Sequence, residues 1–144
     1  MQKRVTINEV EPNAYKAMMG LETYIHHTGL EHRLLHLIKI RASQVNGCAF
    51  CINMHTIDAR KEGETEQRIY ALNAWRETPY FTDEERAVLA FTEAVTLIVN
   101  HVPDDVYTEM TKYFNEQQIA QIIMAIAAIN AWNRMGIAAN LMPV

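Results

Sequence analysis

The sequence predicts an all-α fold. Apolar residues recur at helical spacing through most of the chain, capping residues punctuate the intervals, and no alternating β-branched run lasts long enough for a strand. Five glycines and four prolines are too few for a turn-rich β protein. The 144 residues suit a single domain spanning 1–144, and a chain of this length buries most of its apolar surface without covalent staples.

About seven helices are expected. Pro12-Asn13 opens the first, running roughly from Asn13 to His27, and Thr28-Gly29 closes it. The second runs from about Glu31 to Val45, where Leu34, Leu35, Leu37, Ile38 and Val45 trace a wide apolar face. Asn46-Gly47 interrupts: glycine suits a C-terminal cap, and asparagine can cap the next helix. A third helix from about Cys48 to Lys61 ends at Gly63, and Thr65 caps a fourth reaching Trp75. Thr78-Pro79-Tyr80 reads as a loop. Thr82 with Glu85 three residues later is a capping box for a fifth helix through Val99. Pro103-Asp104-Asp105 starts a sixth, with proline and acids in its first turn. Asn115 caps the last, Glu116 to about Ala139, apolar nearly all round from Ile119 to Ile129. Such a helix belongs in a core, at a subunit interface, or both.

Charge and hydropathy exclude several classes of function. The net charge is −4, and Lys and Arg are scattered without a basic stripe, so no nucleic-acid partner is expected. The N-terminal residues lack the apolar stretch of a signal peptide. No apolar run reaches the ~18 residues of a membrane span; the closest, Ile119 to Ile129, is broken by Gln121. A cytoplasmic protein with no membrane partner is therefore expected. In such a reducing compartment two cysteines are more often reactive or metal-binding than a staple.

The informative segment is Gly47-Cys48-Ala49-Phe50-Cys51-Ile52-Asn53-Met54-His55. On a helix Cys48 and Cys51 are i, i+3 neighbours and Cys51 and His55 are i, i+4, so all three lie along one face. Two cysteines so spaced can close a disulfide. The unpaired N–H groups and dipole of a helix start favour a thiolate at Cys48. His55 can take up or return a proton near neutral pH. A CxxC pair also occurs in zinc sites and thioredoxin-like proteins. The thioredoxin reading needs a βαβ context, whereas both flanks here are helical. Zinc needs about four ligands; Cys48, Cys51 and His55 make three, with His36 the nearest fourth, and no metal is expected. Plain burial of the two thiols as core residues is a further reading, which a helix start beside Asn-Gly suits poorly.

The run Ile40-Arg41-Ala42-Ser43-Gln44-Val45-Asn46-Gly47-Cys48-Ala49-Phe50-Cys51, followed by His55, resembles the core signature of the AhpD-like, carboxymuconolactone decarboxylase superfamily. The likeness continues through Glu84 to Thr96 and resumes from Asn130 to Arg134, covering about residues 15 to 138. The resemblance implies an all-α fold, homo-oligomers (trimers or hexamers) and a thiol peroxidase mechanism in members with both cysteines. The decarboxylase members usually lack the pair. It further implies that Cys51 attacks the peroxide, that Cys48 resolves the resulting sulfenic acid as a disulfide, and that His55 relays the proton. No cofactor is implied beyond this redox-active disulfide. The implied partners are a hydroperoxide substrate and a thiol or dihydrolipoyl-type reductant. Two departures stand out. His36 occupies the place, twelve residues before Cys48, of the family's relay glutamate, and Phe50 stands near the place of a histidine between the cysteines. His36 is accordingly a fourth candidate site residue.

Among the remaining polar residues, His26 and His27 suit the end of a helix. Glu93, amid Phe91, Ala94 and Val95, suits either a buried ion pair or an approach to the thiols. Asn130, Asn133 and Arg134 suit an interface, an interhelical hydrogen bond or a substrate contact. The eight methionines read as adaptable core filler.

Overall fold

A computed structural model describes residues 2–144; Met1, the first residue of the expected domain, lies outside the described residues. The fold is all-α. Among the described residues eight α-helices succeed one another: α1 (Ile7–Val10), α2 (Pro12–His26), α3 (His32–Asn46), α4 (Ala49–Lys61), α5 (Glu66–Tyr70), α6 (Asp83–Thr96), α7 (Asp104–Thr111) and α8 (Glu116–Ala138). Two 3₁₀ segments, Leu72–Glu77 and Ile98–Asn100, fill the joints after α5 and α6. Among the described residues there is no strand.

The caps arise from the chemistry of the side chains. Thr65 accepts from the Arg68 amide, and Thr82 and Glu85 form a reciprocal capping box. Asn115 starts α8 in the same manner, with Gln118 reaching back to the Asn115 amide. Two expected helices are interrupted. The one through Trp75 breaks after Tyr70 into a 3₁₀ segment with non-helical Ala74, which buries Leu72 and Trp75. The one through Val99 stops at Thr96 and continues as a 3₁₀ turn. The short α1 is not among the expected helices; it buries no side chain and so leaves no apolar periodicity to detect.

The central element is α3, which is buried on two sides. Leu34, Leu35, Ile38 and Ala42 join α6, α7 and α8 in one apolar cluster, with Phe91, Met110, Ile122 and Ile126. Leu37 and Ile40 join Ala59, Leu72, Trp75, Phe81 and Leu89 in a second. The wide apolar face is thus two faces. In α8, Ile119, Ile122, Ala125, Ile126 and Ile129 are buried, whereas Ile123 and Met124 are exposed.

Several polar groups between α3, α6 and α8 are matched to one another. Asn46, at the end of α3, donates to Asn130 (3.0 Å) and Asn133 (2.9 Å) on α8. Asn130 in turn donates to Thr96, and fully buried Asn133 to Ser43. Interhelical hydrogen bonding therefore accounts for both α8 asparagines, and Arg134 bonds to Asn130. Glu93 pairs with Arg41 at 2.8 Å and Arg76 at 2.7 Å and accepts from the Trp75 indole, the buried ion pair rather than an approach to the thiols.

Candidate active site

The turn between α3 and α4 places the cysteines. Gly47 adopts a left-handed conformation (φ 72°), its amide bonds to Gln44 O, and the Cys48 amide bonds to Ser43 O. This Schellman pairing ends α3 and reverses the chain. Asn46 is the last residue of α3 and does not cap α4. Cys48 is the N-cap, its sulfur accepting from the Cys51 amide at 3.3 Å.

Cys48 and Cys51 are joined in a disulfide, with Cα atoms 5.3 Å apart. Both are buried, at 2% and 3% exposure, although a helix start beside Asn-Gly suits burial poorly. The reason is α8. Gly136 lies against the pair, so close that a Cβ there would meet Cys48 Sγ at 3.3 Å and Cys51 Sγ at 3.7 Å. Gly in a helix interior is disfavoured by about 1 kcal/mol relative to Ala, and here it lets α8 pass over the sulfurs.

Cys51, His55 and His36 line one cavity of about 490 Å³; Cys48 lies behind Cys51, off its wall. The apolar lining includes Tyr15 and Met19 from α2, Phe50 and Met54 from α4, and Trp132 and Met135 from α8. The polar lining includes Glu22, His36, Lys39, His55 and Asp58. Sequence reasoning missed Glu22, Lys39, Asp58, Trp132 and Gly136. Only Gly136 carried a local signal, a glycine inside a long apolar helix.

Glu22 is held from two sides: Lys39 Nζ donates to Oε1 at 2.7 Å and Trp132 Nε1 to Oε2 at 3.1 Å. Burial raises the Glu22 carboxyl, but Lys39, with help from Trp132, brings it below its usual range, so the group is charged. Burial first, then the Lys39 ammonium, pushes His55 down to about 4, against the opposing pull of Glu22 and Asp58. At neutral pH His55 is therefore an uncharged imidazole, able to accept a proton. Its Nε2 is buried without a hydrogen-bond partner, as are both ring nitrogens of His36.

His36 Nε2 lies 3.0 Å from Glu62 Oε2, without the alignment of a hydrogen bond, and His32 Nδ1 lies 3.3 Å from the same oxygen. Among the described residues no group of three or more His, Cys, Asp or Glu side chains is arranged to hold a metal ion.

Residues 12–94 match the carboxymuconolactone decarboxylase family. The chain belongs to this family. A relative of unknown character from Bacillus subtilis, YdfG, is 47% identical over 139 residues, 96% of this chain and 95% of its own length. YnjA from Escherichia coli, equally uncharacterized, is 26% identical over 73% of this chain and 58% of its own. Among solved structures, a protein of unknown function from Agrobacterium tumefaciens, provisionally assigned to antioxidant defence as AhpD, superposes with a TM-score of 0.97. It is 42% identical, with 99% of each chain covered. The debrominase Bmp8 shares the fold at 22% identity, with a TM-score of 0.84 over 92% of this chain and 72% of its own. The AhpD-like helical fold and the family are thus established together.

Proposed function

We propose that this protein is a thiol-dependent peroxidase that reduces organic hydroperoxides at Cys51 and recycles through the Cys48–Cys51 disulfide. The observation that carries this reading is the asymmetry of the pair: Cys51 lines the cavity with His55, while Cys48 sits behind it under Gly136. A substrate entering the cavity meets Cys51 first.

In the reduced protein, neutral His55 takes the Cys51 proton. The thiolate attacks the distal peroxide oxygen: an S–O bond forms, the O–O bond breaks, and the alkoxide leaves with the proton returned by His55. Sulfur is oxidised to a sulfenic acid and the peroxide is reduced to an alcohol. Cys48 then attacks the Cys51 sulfur; the S–S bond forms, the S–O bond breaks, and water departs with the Cys48 proton. The Cys51 amide aimed at Cys48 Sγ stabilises negative charge on that sulfur, which suits Cys48 to leave as a thiolate when the reductant attacks Cys51 from the cavity. An external dithiol, of dihydrolipoyl type or on a protein, restores both thiols in two exchanges.

The test is peroxide consumption with an organic hydroperoxide and a dithiol reductant. Wild type turns over, and Cys51→Ser does not. Reduction of the disulfide with no peroxide consumption in the wild type would instead identify a thiol–disulfide redox protein.

A further inference from the structure

We propose that Ile7 and Leu141, carried to the cysteine cavity by the N- and C-terminal segments, form a rim that sets the size of hydroperoxide able to reach Cys51. Arg4 and Asn140 are the positioning residues that hold this rim in place. The inference rests on the peroxidase reading above and names the residues that select its substrate.

The turn that ends α8 places the rim. Asn140 adopts a left-handed conformation (φ 53°), and the Leu141 amide bonds back to Gly136 O at 2.9 Å. This Schellman closure returns the chain to Gly136, the residue that lies against both sulfurs. Leu141 therefore joins the wall at the cysteine end of the cavity. The Asn140 side chain donates to Gln2 O at 3.1 Å, and Arg4 donates to Ala138 O at 2.9 Å. The N-terminal segment is thus tied across the same turn, and Thr6, Ile7 and Asn8 complete the wall.

Cys51 lines this cavity yet is only 3% exposed, so a bulky group reaches its sulfur only where a wall yields. The helical walls are fixed. α3, α4 and α8 carry the two core clusters. α2 is held to them by Glu22, bonded to Lys39 and Trp132, and by Tyr15, edge-on to Trp132 at 5.6 Å. α1 differs: it buries no side chain, and Ile7 and Leu141 both stand partly in solvent. Both ties are hydrogen bonds at the exposed surface, where water replaces a lost partner at little cost. Segments with few buried contacts and exposed bonds open locally, far more easily than the whole fold unfolds. The N-terminal segment is therefore the wall that yields. A small hydroperoxide passes the closed rim, whereas a bulky one waits for it to open.

The test is the rate at which the reduced full-length protein is alkylated on Cys51, mapped by mass spectrometry. The reagents are iodoacetamide and its bulkier phenyl analogue, iodoacetanilide. Oxidation of Cys51 by hydrogen peroxide and by cumene hydroperoxide is followed in parallel. One variant, Arg4→Ala with Asn140→Gly, cuts both ties and keeps the left-handed turn. The other, Ile7→Ala with Leu141→Ala, widens the rim. The first should speed iodoacetanilide about tenfold, as the loss of two surface hydrogen bonds allows, and leave iodoacetamide within about twofold. The second should act in the same direction on the same reagent. Cumene hydroperoxide should gain over hydrogen peroxide in the same proportion. The proposal is overturned if either variant leaves the iodoacetanilide rate at its wild-type value, or if iodoacetamide gains by the same factor. Alkylation as expected in a wild type that neither hydroperoxide oxidises would refute the peroxidase reading while sustaining the rim.

Discussion

Gly136 shows most plainly what one residue does here. Replacing it with Ala adds about 1 kcal/mol of helix propensity but sets a methyl 3.3 Å from Cys48 Sγ. Overpacking of this kind costs about 1–3 kcal/mol, and a sulfur tied in a disulfide cannot yield as a free thiol can. Gly136→Ala should therefore destabilise the oxidised protein by about 1 kcal/mol relative to the reduced protein, and redox titration should show the disulfide more readily reduced. Equal stability changes in both redox states would remove the crowding argument. His55 makes a second prediction. Its folded value of about 4 lies below the ordinary 6.5, so the unfolded chain binds the proton first as the pH falls. Stability is then lost on acidification from about 6.5 to about 4, on the order of 3 kcal/mol for a shift of this size. His55→Gln should flatten that part of the profile in denaturant titrations; a difference between the two proteins that is independent of pH would contradict it. At this scale the sequence was partly legible. Cys51 and His55 share a face of α4 because their i, i+4 spacing puts them there, whereas Cys48, the extended N-cap, lies behind Cys51. Glu22 and Lys39 were not legible, because their pairing joins α2 to α3 across 17 residues, and nothing local encodes that.

Among the elements, the α3–α8 contact holds the site together. Asn133 is fully buried, accepts from Asn46 and donates to Ser43, and lies three residues before Gly136. Asn133→Ala leaves Asn46 and Ser43 short of a partner and should lower stability by about 1–3 kcal/mol, measured by urea unfolding. A change below half a kilocalorie would mean that solvent replaces the bonds at no loss. The helix boundaries were readable wherever a side chain makes its own cap: Thr65, Thr82 and Asn115 each bond to the amide three residues on. They were not readable where tertiary packing cuts a helix short, as at Tyr70 and Thr96. There the buried Leu72 and Trp75 take a 3₁₀ path that local periodicity does not announce.

For the whole molecule, the two ends of the chain meet beside the cavity. Arg4 donates to Ala138 O and Asn140 to Gln2 O, while Ile7 and Leu141 line the wall. Exposed apolar side chains also occur off the cavity wall, at Leu97, Ile98 and Val99 around the 3₁₀ turn and at Ile123 and Met124 on α8. Self-association covers such surface, and the chain is expected to sediment as a homo-oligomer at micromolar concentration. A monomer there would count against that expectation. The fold class was legible because helical periodicity and caps agree along the chain, whereas subunit arrangement leaves no comparable local pattern. The most direct test of the peroxidase reading is mass spectrometry of reduced protein treated with an organic hydroperoxide. Wild type should form the Cys48–Cys51 disulfide, Cys48→Ser should accumulate sulfenic or over-oxidised Cys51, and Cys51→Ser should show neither. Two free thiols in treated wild type, or a sulfenic acid on Cys48, would contradict the roles assigned to the pair.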